Sequence, residues 1–158
     1  MWHWIIDISL FFCLVYFMID KLTLLWVRRC YDLIYHLMVR SGGCLVLLDV
    51  DNFKQFNDRY GHKMGNEILR QLGLIILTES RFRAFRYGGD EFAVLLPWAA
   101  KEKAVQLTER IRARVEGINI DGLKVTITCA VAHYEEAADM LLLQAKKSGN
   151  KNSTTVIE

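Results

Sequence analysis

The 158-residue sequence predicts an α+β fold: a mainly antiparallel central sheet flanked by helices in a two-layer arrangement, preceded by an N-terminal hydrophobic helix. Three observations carry this reading. Short apolar runs of strand length alternate with stretches of helical periodicity. A Gly88-Gly89 pair separates two of the runs as a hairpin turn does. The resulting order of strand, helix, hairpin, helix, strand is that of ferredoxin-like and polymerase-palm domains. The length suits one compact domain and is short for two, so residues 20–158 form one unit behind an N-terminal segment, 1–19.

From Trp2 to Ile19 the chain is almost wholly apolar and aromatic, broken by His3, Asp7 and Ser9; basic residues begin at Lys21 and continue at Arg28 and Arg29. A helix needs about 20 apolar residues to cross a bilayer. The segment therefore reads as a membrane anchor at the short end of that range, with Asp7 near the interface. Positive charge follows the apolar run and no small-residue cleavage site is evident, which argues against a removed signal peptide. The basic flank favours the cytoplasmic side, predicting an inner-membrane protein with residues 20–158 in the cytoplasm. The competing expectation is a buried or dimer-forming helix on a cytoplasmic protein.

Arg28 to Val39 is expected to be helical, and Cys44 to Val50, an apolar run after Ser-Gly-Gly, to be a buried strand ending near Asp49. Between Asn66 and Thr78, Leu69, Leu72 and Ile76 fall on one helical face, broadened by Ile68 and Ile75. Phe85 to Tyr87 and Phe92 to Leu96 flank Gly88-Gly89, where a tight hairpin calls for positive φ angles. After Pro97, the spacing of Ala104, Leu107, Ile111 and Val115 predicts a helix through about Glu116. Val125 to Val131 is β-branched and apolar, Glu135 to Lys147 reads as helix, and Ser153 to Ile157 as an edge strand.

The composition, 53% hydrophobic and 24% charged with one proline, excludes a disordered or collagen-like chain. A net charge of +2, with no basic run interleaved with aromatics, argues against a nucleic-acid polymer as partner. Cys13, Cys30, Cys44 and Cys129 show no CxxC spacing and lie in apolar stretches, so buried reduced thiols are expected.

Two acidic pairs stand beside strongly apolar runs: Asp49 with Asp51, and Asp90 with Glu91. Carboxylates in such surroundings are costly unless a cation meets them. Mg²⁺ takes one or two carboxylates and leaves positions for water and substrate phosphates. Two such ions suit phosphoryl or nucleotidyl transfer, and the side-chain-free Gly88 and Gly89 let backbone approach a phosphate.

Tyr87-Gly88-Gly89-Asp90-Glu91-Phe92 resembles the signature of the GGDEF family, the diguanylate cyclases. Asp49 through Asp58 and Gly61-His62-Lys63-Met64-Gly65 are similar to that family's strand-and-loop motif. Asp20-Lys21-Leu22-Thr23 resembles its entry motif, and Ala138-Asp139 with Ala145-Lys146 its last helix; the likeness covers residues 20 to about 152. The resemblance implies condensation of two GTP to cyclic di-GMP with release of two pyrophosphates, each subunit of an obligatory homodimer presenting one GTP to the other. It implies two Mg²⁺ per site, with Mn²⁺ as the alternative ion, held by Asp49, the Val50 carbonyl and Asp90. Asp90 would also assist removal of the 3′-hydroxyl proton, with Glu91 supporting the metal site. Lys54 and Lys146 would face the triphosphate, near Gly88 and Gly89, and Asn57, His62 and Asn66 would hold the base.

Several positions depart from the family pattern. Where it has Asp, this chain has Asn66, and an amide, one acceptor and one donor, suits adenine at least as well as guanine. Relaxed base selectivity, with ATP as a second substrate, is the resulting expectation; retention of GTP selectivity through Asn57 is its alternative. Residues 78–86 contain no aspartate, so the Arg-x-x-Asp product-inhibition motif is missing. Leu24 and Val27 replace a Gly and an Asn of the entry motif, Ala130 a glycine, and Asn150, followed by Lys151, an arginine. The functional alternative to an active cyclase is a catalytically weak GGDEF module that binds a nucleotide or a partner protein. A membrane-interaction protein with a structural domain is a third reading, and it leaves the acidic pairs without a purpose.

Overall fold

The computed structural model describes residues 13–38, 42–133 and 151–156. A helical stretch at 13–18 leads into β1 (Trp26–Val27), α1 (Arg28–Met38), β2 (Gly43–Val50), α2 (Phe53–Tyr60), α3 (His62–Ser80), β3 (Ala84–Arg86), β4 (Glu91–Pro97), α4 (Lys101–Glu116), β5 (Ile127–His133) and β6 (Thr154–Val156). The strands form one sheet in the order β1-β3-β4-β2-β5-β6. Its centre is antiparallel, β2 pairing with β4 and β5, while the outer pairs β1–β3 and β5–β6 are parallel.

β2 explains the layering. All eight of its residues are buried, so both of its faces need cover. Val46, Leu48 and Val50 belong to a cluster with Leu69, Leu72 and Ile76 of α3 and Leu107 and Ile111 of α4. Leu45 and Leu47 belong to another, with Phe85, Leu95 and the α1 residues Cys30 and Tyr31. The α+β class and mainly antiparallel sheet are as expected, but helices cover both faces rather than forming a simple two-layer stack.

Several elements differ from the sequence expectation. α3 starts at His62, four residues upstream of Asn66, with Gly65 extending its buried face. α2 escapes a periodicity reading because it is eight residues long and buries none of them fully, although Phe53 and Phe56 pack against the core. β5 begins at Ile127, the Thr126 carbonyl being taken by the Asp51 N–H at 2.9 Å.

The helix expected at Glu135 to Lys147, Lys146 within it, and residues 1–12 of the expected anchor lie outside the described residues. Among the described residues no helix is long and apolar enough to cross a membrane. Cys30, Cys44 and Cys129 are buried free thiols, but Cys13, on the exposed stretch 13–18, is itself exposed. Burial pushes the Cys30 and Cys129 thiols up, which keeps them protonated and unreactive at neutral pH.

Candidate active site

The sheet register brings the two acidic motifs together. Asp49, the penultimate residue of β2, pairs with Glu91 of β4 on one side and Thr128 of β5 on the other. The Val50 N–H then donates to the Asp90 carbonyl at 3.3 Å, tying the end of β2 to the turn before β4. Asp49 is 5% exposed. With Val50, Lys54, Asp90 and Lys151 it lines an open cavity of about 360 Å³. Of the expected site residues, Asp49, Val50, Asp90 and Lys54 therefore share one cavity wall.

The hairpin itself corrects one expectation. Neither Gly88 nor Gly89 takes a positive φ. The turn closes through the Tyr87 and Gly88 N–H groups, which both donate to the Glu91 carbonyl, at 2.9 and 3.0 Å. A Cβ at Gly88 would meet the Glu91 Oε2 at 2.5 Å, so the glutamate side chain would have to swing away from it, whereas Gly89 faces open space. Glu91 thus folds over Gly88, and neither it nor the two glycines line the cavity.

Among the described residues no group of three His, Cys, Asp or Glu side chains could form a metal cage. Two carboxylates beside a backbone segment form an incomplete oxygen shell, which is the donor set that Mg²⁺ completes with water and phosphate. The residues therefore fit the expected ion.

The family model described as "Diguanylate cyclase, GGDEF domain" matches residues 17–152. The chain belongs to the diguanylate cyclase GGDEF-domain family. It is 38% identical over 126 residues to diguanylate cyclase DgcM of Escherichia coli K12, covering 72% of this chain and 31% of DgcM. It is 40% identical over 122 residues to the uncharacterized protein YhcK of Bacillus subtilis, covering 66% of this chain and 34% of YhcK. The chain thus spans about a third of the length of these curated relatives. Its fold superposes on the coiled coil and GGDEF domain of DgcB from Caulobacter crescentus, solved in complex with c-di-GMP, with a TM-score of 0.86 at 26% identity, over 96% of this chain and 92% of that one. Diguanylate cyclase SiaD of Pseudomonas aeruginosa, solved with its activator SiaC, gives 0.81 at 28% identity, over 96% and 67%.

The other residues of the GGDEF domain sort into distinct roles. Asp51, the partner of Asp49 in the sequence motif, is a structural anchor. It accepts hydrogen bonds from the hydroxyls of Thr126 (2.5 Å) and Thr128 (2.6 Å) and from the Asn152 N–H (3.0 Å). Asn57 packs its Oδ1 against Gly65, where any Cβ would collide with it, and that oxygen is buried with no hydrogen-bond partner among the described residues. Asn66 and His62 are exposed on the first turns of α3. Asn66 opens on a separate hollow of about 510 Å³ with Tyr60, Lys63 and Arg70, so the structure does not bring it to the carboxylate cavity.

Sequence reasoning missed the clamp behind the signature hairpin. Arg86 donates to the Gly89 carbonyl (2.8 and 3.3 Å) and to both Asp20 carboxylate oxygens (3.0 and 3.1 Å). Asp20 also accepts from the Thr23 N–H and hydroxyl, which joins the entry motif to the turn carrying Asp90. Burial by itself pushes the Asp20 carboxyl up, but the Thr23 donors and the Arg86 guanidinium outweigh it and hold the group below its usual value. Arg28 stacks 4.0 Å over the Tyr87 ring and pins the same hairpin from α1. An arginine two residues before the glycines was the available signal for the clamp; its partner, 66 residues away, was not.

Proposed function

We propose that this domain is a diguanylate cyclase, condensing two GTP into cyclic di-GMP and two pyrophosphates across a homodimer. The convergence of Asp49, Val50, Asp90 and Lys54 on one cavity carries the reading. Asp49, the Val50 carbonyl and Asp90 would hold Mg²⁺, which when bound offsets charge on the phosphate oxygens and acidifies the attacking hydroxyl. Lys54 contributes a point charge for the triphosphate. The Asp90 carboxylate accepts the proton of the 3′-hydroxyl as its oxygen bonds to the α-phosphorus of the other nucleotide and pyrophosphate leaves with the broken P–O electron pair. Each chain supplies one such cavity among its described residues, and ring closure requires two reacting centres, so a second copy completes the chemistry.

Base choice follows from Asn66, which the base of a nucleotide held by the carboxylate cavity would meet by reaching into the separate hollow on which that residue opens. An amide supplies one acceptor where a carboxylate would meet both guanine N–H donors, so ATP enters the product alongside GTP. One assay addresses both points: purified protein with GTP, ATP and Mg²⁺, products identified by mass. Cyclic di-GMP and adenine-containing products are expected. Asp49→Asn and Asp90→Asn each lower the yield by roughly 10²-fold or more at retained fold, and Asn66→Asp removes the adenine product. Guanine-only product unaffected by Asn66→Asp rejects the base reading. Nucleotide binding without turnover would favour the binding module instead.

A further inference from the structure

We infer that Arg28, the first residue of α1, is a positioning residue for Asp90, acting through Tyr87 at the root of the signature hairpin. The inference rests on the reading that Asp90 serves the carboxylate cavity in nucleotidyl transfer.

Asp90 sits on a turn that must be held from its ends. Gly88 and Gly89 precede it, and glycine leaves the backbone freer than any other residue. After them, the Asp90 carbonyl accepts from the Val50 N–H at 3.3 Å, a long bond. Arg86 holds the Gly89 carbonyl from the Asp20 side. The remaining anchor is Tyr87, the last residue with a side chain before Asp90, whose N–H closes the turn on the Glu91 carbonyl at 2.9 Å.

Tyr87 is gripped by two residues three apart on α1, a spacing that puts both on one helical face. Tyr31, 7% exposed, meets the Tyr87 ring edge-on at 5.0 Å and is itself packed against Phe85 and Tyr35. It belongs to the core. Arg28 supplies the polar half of the grip: its guanidinium lies 4.0 Å over the ring centroid and donates to the Tyr87 hydroxyl at 3.2 Å and to the Tyr87 carbonyl at 3.4 Å. The cation needs the ring face and the carbonyl bond needs the Tyr87–Gly88 peptide plane, so together they fix ring and main chain where the glycines begin. The other neighbour of Arg28, Asp32, is 3.9 Å away with both side chains about half exposed, so that ion pair contributes little. Because Arg28 is half in solvent, removing it takes no apolar mass from the core.

The test joins steady-state kinetics to residue-resolved hydrogen exchange on the full-length chain, as wild type, Arg28→Gln, Arg28→Lys and, for control, Asp32→Asn. Arg28→Gln is expected to lower kcat roughly tenfold while KM for GTP stays within about twofold of wild type. Without nucleotide or metal, it is also expected to speed exchange at residues 87–91 and at the Val50 N–H, with α1 and the interior of β2 still protected. Arg28→Lys, which keeps a cation over the ring, is expected to recover most of kcat, and Asp32→Asn to match wild type. Wild-type kcat or wild-type hairpin exchange in Arg28→Gln overturns the role of Arg28 and leaves the cavity's function standing. Faster exchange throughout α1, or an equal loss in Asp32→Asn, marks a helix defect and also overturns the role. A wild type that makes no cyclic dinucleotide from GTP overturns the reading of the cavity and the positioning role with it.

Discussion

Carboxylates of this chain have divided their labour in a way their spacing does not show. Asp49 lines the cavity, Asp51 two residues later staples β2 to β5 and to the chain before β6, and Asp20, remote in sequence, braces the hairpin through Arg86. The last pair carries a pH signature. The folded-state value of Asp20 is depressed, so its contribution is fully present above the unfolded value of about 4 and is lost as pH falls through the lower folded value. Asp20→Asn should therefore melt below wild type at pH 7, and the gap should close as pH drops below about 4. Thermal melts between pH 2.5 and 7 measure it; a gap that stays constant across that range would remove the charge component of the clamp.

At the scale of elements, close approach decides more than intrinsic propensity. Gly73 lies in the middle of α3, where alanine would ordinarily gain about 1 kcal/mol in helix propensity. Here a Cβ would lie 2.5 Å from the Thr23 carbonyl oxygen and 2.8 Å from its Cα, backbone atoms of the turn that Asp20 closes. Gly73→Ala is expected to destabilise by roughly 1–3 kcal/mol instead, as urea unfolding would report; a stabilised variant would show that the 20–25 turn yields easily. The helices and strands most legible beforehand were those with a long buried face, α3 and α4, and the apolar run of β2. α2 and β1 were not, because an eight-residue helix and a two-residue strand owe their form to the neighbours that hold them.

For the whole molecule, the proposed chemistry needs two copies, because each chain brings one carboxylate cavity to a product with two phosphodiester bonds. Diluting the protein through its dimerisation range should lower the rate per chain, with sedimentation followed in parallel. A rate per chain that stays constant where the protein sediments as a monomer would exclude the shared site.

The amino-acid sequence alone determined the class of fold and the family, and singled out Asp49 and Asp90 as candidates, because apolar periodicity and a signature of fixed spacing are local properties of the chain. Tertiary structure decided which acids line the cavity and which brace the scaffold. Asp51 and Glu91 look equivalent to their neighbours until the β2–β4 and β2–β5 registers turn one toward threonine hydroxyls and fold the other over Gly88. The places of Arg86 and Arg28 likewise became visible only on folding, since each is defined by partners 66 and 59 residues away. No local pattern records a contact between segments that meet only when the sheet closes.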